Sequence, residues 1–133
     1  MLSRRKMELA KKLQLPSNTT VYVVNAPRGL KLDVKITKKL DPDVAVLVFA
    51  NDSKTLETQA GAAVDTAKAD QLSWIAYPKA GGLGTDLNRD KLVALMKPFG
   101  IEGVRLVSLD EVWSAMRFRP IHSKMSIDRD PKS

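Results

Sequence analysis

Residues 74–99, WIAYPKAGGLGTDLNRDKLVALMKPF, constrain the fold more than any other stretch, because they read as strand, glycine-rich loop and helix in immediate succession. Trp74, Ile75, Ala76 and Tyr77 form a short apolar run suited to a pleated surface. Pro78 cannot donate to a ladder and ends it. Lys79 to Gly84 supplies three glycines, which tolerate positive φ or a close backbone approach. Thr85 or Asp86 is then placed to cap a helix. Leu92, Leu95, Met96 and Phe99 recur at i, i+3, i+4 and i+7, which gives that helix one buried stripe.

The rest of the chain repeats the alternation. Residues 3–14 pattern as a short amphipathic helix stopped by Leu15-Pro16. Thr20 to Val24 is apolar on both parities, as in a strand covered on both faces, and ends in the tight connection Asn25 to Gly29. Leu30, Leu32, Val34 and Ile36 alternate with charged residues, which predicts a half-exposed second strand near an edge. Val44 to Phe49 is the most buried strand predicted, followed by a turn at Asn51 to Ser53 and a helix from Lys54 to about Lys68. Val104 to Leu109 is a further strand. Residues 112–118 fit either a helical turn capped by Asp110 or an antiparallel strand with Trp113, Ala115 and Arg117 on one face; the strand is preferred.

This order predicts a three-layer, mostly parallel α/β sheet with an antiparallel edge strand. The connection between the first two strands is too short for a helical crossover, so the sheet is expected to be mixed there. A single domain over residues 1–120 and a polar tail over 121–133 are expected. The exposed edge at Lys31 to Ile36 offers a surface for homo-oligomers.

Charge and composition bound the partners. The chain of 133 residues carries a net charge of +7. Residues 1–12 carry +4 and residues 117–133 carry +3, so the body between them is neutral. A nucleic-acid or protein interaction through the basic ends is therefore one reading, although a dedicated nucleic-acid domain carries its basic stripe on the folded surface. The longest apolar run, Val44 to Ala50, is far short of the roughly 20 residues of a membrane span, so no membrane partner is expected. No apolar segment follows the basic start, and a secretory signal is not expected. The absence of cysteine removes thiolate chemistry and disulfides and fits a cytoplasmic setting.

Ligands of open α/β sheets bind beyond the carboxyl ends of the strands. That edge is predicted to gather Asn25, Arg28, Lys79, Gly81, Gly82, Gly84, Thr85, Asp86 and Arg89 around a small anionic or phosphate-containing ligand. Backbone N–H groups of the 79–85 loop, with Lys79, could hold a phosphate or carboxylate. The spacing is neither a dinucleotide fingerprint nor a Walker loop. Asp86, Arg89 and Asp90 share one helical turn. They form either an acid/base pair of a transferase-like enzyme or a charge cap with an intrahelical ion pair. Two carboxylates alone do not define a metal site. Trp113, Arg117 and Arg119 form either an aromatic–cation surface or a core tryptophan with solvent-side arginines. His122, the single histidine, lies in the tail, and Ser114 lacks a nucleophile elbow. No pattern identifies a cofactor, and the 25–29 turn lacks the glycines a nucleotide cofactor needs there.

With VYVVNAP (21–27), WIAYPK followed by TDLNRDKL (74–79, 85–92) and DEVWSAMRFRP (110–120) in view, the chain resembles a bacterial domain-of-unknown-function family of small Rossmann-like proteins. The resemblance covers most of residues 10–120. It implies a sheet similar to a pared-down methyltransferase core, with no established reaction.

Overall fold

The computed structural model describes residues 10–16, 19–28, 30, 34–41 and 44–121. Six strands form one sheet: β1 (Thr20–Val24), β2 (Lys35–Thr37), β3 (Ala45–Phe49), β4 (Ser73–Pro78), β5 (Ile101–Ser108) and β6 (Trp113–Pro120). Their spatial order is β2-β1-β3-β4-β6-β5. The first four run parallel, while β6 is antiparallel to both of its neighbours, β4 and β5. The antiparallel strand is thus internal and not at the edge, because β5 lies outside it. Residues 109–112 make a short hairpin between β5 and β6, and a tight hairpin joins antiparallel strands only.

β1 and β2 are parallel, against the expectation of a mixed pairing. Of the alternating run 30–36, Lys35 and Ile36 are strand among the described residues. Leu30 and Val34 pack on the sheet as part of the connection, and β2 begins only at Lys35. The later start of the strand lengthens the connection from β1, as a parallel pairing requires. Residues 31–33 of the predicted strand lie outside the described residues.

The helices are α1 (Ser53–Gln59), α2 (Gly61–Lys68) and α3 (Arg89–Met96). The sequence pattern predicts one helix from Lys54 to about Lys68. The chain instead breaks at Ala60, where Gly61, a poor helix former, follows. All three pack on one sheet face. Leu56, Ala63, Val64 and Ala67 share one buried core with Val46, Val48 and Ile75 of the sheet, and Leu92, Met96, Ile101 and Phe118 belong to it too. The alanines of α2 let it lie close to the strands.

On the other face Val21, Leu47, Phe49, Trp74, Ala76 and Trp113 are covered by Leu13, Leu15, Leu30 and Val34. The predicted N-terminal helix is described only over its last turn, residues 10–12. Trp74 Nε1 donates to the Leu13 carbonyl at 3.0 Å, which pins that segment to the sheet. The rings of Trp113 and Phe49 meet edge to face, with centroids 5.1 Å apart.

Phe99 departs from the predicted stripe and is 52% exposed. α3 ends at Met96, and the tighter turn over Lys97–Phe99, set by Pro98, rotates the ring off the buried face. Among the described residues no helix is long and apolar enough to cross a membrane.

Candidate functional site

Three turns meet at the carboxyl ends of the parallel strands. Asn25 ends β1 with φ of 61°, a left-handed conformation that asparagine tolerates better than most residues. Its side-chain amide donates to the Phe49 carbonyl at the end of β3, at 3.0 Å. Arg28 beyond it is exposed and has no ion pair among the described residues.

After β3, Asp52 caps α1 by accepting from the Thr55 amide at 2.8 Å, and this bond holds its carboxyl below the ordinary range. Ser53 donates its amide (2.8 Å) and its hydroxyl (2.6 Å) to the two oxygens of Asp86. Lys91 Nζ reaches the same carboxylate at 2.8 Å. The Lys91 ammonium first, and then the Ser53 donors, hold the Asp86 carboxyl far below the usual range. Asp86 therefore fills the place at the start of α1 where an external anion would otherwise sit.

The glycine-rich loop takes another course than predicted. Thr85 and Asp86 do not cap α3; the cap is Asn88, whose side chain accepts from the Lys91 amide at 2.8 Å. Four residues thus separate the loop from the helix start, and its amides do not line a helix N-terminus. Thr85 Oγ1 instead accepts from the Leu87 amide at 3.0 Å. Gly81 and Gly84 have φ of 77° and 69°, in the left-handed region that favours glycine, and Ala80 and Leu83 take positive φ as well. Leu83 is 63% exposed. Gly82 keeps φ negative.

Lys79 is engaged on the side of the edge next to the β5–β6 hairpin. Its ammonium donates to Ser108 Oγ and to the Asp110 carbonyl, both at 2.6 Å, and its amide donates to the Val112 carbonyl. It fastens β4 to the β5–β6 hairpin. Arg89 pairs with its exposed neighbour Asp90 at 3.3 Å and lines a groove beside β5.

The structure therefore brings Asn25, Thr85 and Asp86 to one rim, leaves Arg28 exposed, ties Lys79 to the neighbouring hairpin and sets Arg89 beside β5. Sequence reading missed Ser53 and Lys91 as partners of Asp86. Lys91 stands five residues on and Ser53 thirty-three residues back, and neither separation is a helix-face signature. The Lys91 and Ser53 donors favour the ionised form of Asp86, which weakens it as a base. Asp90 is almost fully solvated.

Trp113 is buried in the core and does not join the arginines. Arg117 donates to Gln14 at 2.7 Å, and Arg119 binds Asp70 through two bonds of 2.9 and 3.1 Å. Ser114 sits buried within β6. His122 and most of the basic ends, residues 1–9 and 122–133, lie outside the described residues. Among the described residues no three His, Asp or Glu side chains cluster as metal ligands would. No protein family, curated protein or solved structure matches this chain.

Proposed function

We propose that the chain is a Rossmann-like module, similar to a pared-down methyltransferase core, that binds a small phosphate-bearing ligand in the crevice between the carboxyl ends of β1 and β3. The strand order β2-β1-β3-β4 supports this reading, because it reverses between β1 and β3. At such a reversal the connections leave on opposite sides of the sheet and open a crevice. The Asn25–Phe49 hydrogen bond, which ties the two turns across that reversal, carries the argument. Arg28 is the cation for the ligand, being exposed and unpaired among the described residues, whereas Lys79 and Lys91 are already engaged. Asp86 is a structural anion that braces the rim and is not a proton carrier.

The test is a thermal-shift and NMR titration with nucleotides and sugar phosphates. Shifts centred on residues 25–28 and 51–53 that vanish in Arg28→Ala are expected. Ligands that leave those amides unmoved, or that bind Arg28→Ala as well as the parent, overturn the reading.

A further inference from the structure

β5 is an eight-residue strand at the end of the sheet order, and its outer edge has no partner strand among the described residues. Such an edge is a template for another strand unless it is short, covered or lined by charges of one sign; on β5 the charges are of opposite sign, Glu102 and Arg105. The opposite edge, β2, has three residues and is flanked by Lys38 and Lys39, so it is blunted. β5 instead exposes Val104 (42%) and Leu106 (44%). Between β5 and α3 runs a groove of about 340 Å³, floored by Val93 and Met116.

The pattern on β5 is self-complementary. A register shift between Gly103 and Arg105 puts Glu102 opposite Arg119 and Arg105 opposite Arg117, so Glu102 and Arg105 share one sheet face. Ile101 and Leu106 share the other, facing Pro120 and Met116. Two antiparallel β5 strands related by a two-fold axis, with Glu102 of each copy opposite Arg105 of the other, form two ion pairs on one face. On the helix face the same register covers the exposed Leu106 of each copy, while Ile101 is already buried in its own core. Arg105 has no ion pair among the described residues and stands across from the like charge of Arg117.

We propose that the chain forms a symmetric homodimer through antiparallel pairing of β5, which joins two sheets into one of twelve strands and closes the groove beside α3. The interface is isologous, with the same patch on both copies. It lies on the opposite sheet edge from β2 and is independent of the ligand reading at the rim.

Sedimentation of the full chain over a concentration series, with charge-swap variants, tests it. A dimer is expected for the parent. Glu102→Arg and Arg105→Glu each place like charges in both contacts and are expected to weaken dimerisation at least tenfold. The double variant E102R/R105E restores it, and mixing the two single variants gives a heterodimer, since both contacts are then opposite in sign. Hydrogen exchange on the parent gives a readout that needs no variant: β5 amides lose protection on dilution. A parent that stays monomeric, single variants that dimerise as before, or β5 exchange independent of concentration each overturn the proposal.

Discussion

The Asp86 carboxylate binds both the amide and the hydroxyl of Ser53, and so ties the turn before α3 to the first residue of α1. Through this contact the loop after β4 is set against the loop after β3. The rim is a consequence of hydrogen bonding between loops as well as of strand order.

Removing that contact is expected to loosen the rim. Asp86→Asn keeps the shape but loses the Lys91 ion pair and one acceptor role toward Ser53. A lower melting temperature at neutral pH is expected, with faster amide exchange at residues 51–55. The pH dependence has a definite sign. The folded-state pKa of Asp86 lies below its unfolded value. Its contribution is therefore present above roughly pH 4 and is lost as pH falls through the folded value. Denaturation midpoints over acid pH should show a smaller acid-side fall for Asp86→Asn than for the parent.

Gly103 lies in β5 where a Cβ would collide with the thioether of Met116 and press on Val93. Gly103→Ala forces Met116, itself buried, from its place. Overpacking of this kind costs about 1–3 kcal/mol. Urea denaturation measures it. Met116→Ala in the same chain removes the collision, so the double variant should lose less than the sum of the single losses.

Trp74→Phe keeps an aromatic ring in the second core face but deletes the donor to the Leu13 carbonyl. The buried hydrogen bond and the partner left unsatisfied together cost roughly 1–3 kcal/mol. Because that bond pins residues 10–16, limited proteolysis should also cut the N-terminal segment of the variant earlier than that of the parent.

At Asn25 two effects separate by substitution. Asn25→Ala loses the bond to Phe49 and places a Cβ residue without a local polar group at φ of 61°. Asn25→Gly loses the bond but accepts the backbone. Alanine should therefore be the more destabilising, by about 1 kcal/mol. Equal losses in denaturant melts would mean that the hydrogen bond alone decides this turn.

Local pattern carried much of the fold. β1, β3 and β4 are apolar runs whose chemistry admits little else once covered on both faces, and the preference for strand over helix at Trp113 to Phe118 was met. The turn positions at 25–29, 51–53 and 78–85 were legible from Asn, Asp, Pro and Gly. The start of α3 was not, because Thr85, Asp86 and Asn88 are all competent caps, and Asn88 wins once Asp86 is held by Ser53. Nor did the sequence place Lys79, whose long side chain serves whichever acceptors the hairpin brings near it.

By itself, the sequence determined which segments become strands, helices and turns, since those preferences are settled within a few residues by side-chain shape, period and backbone freedom. The tertiary structure decided that β6 enters between β4 and β5, that β1 and β2 run parallel, that Phe99 faces solvent and that Asp86 meets Ser53. These depend on which strand edges pair across dozens of residues. Pairing is chosen by the burial and hydrogen bonding of the whole sheet, a sum that no single stretch of chain contains.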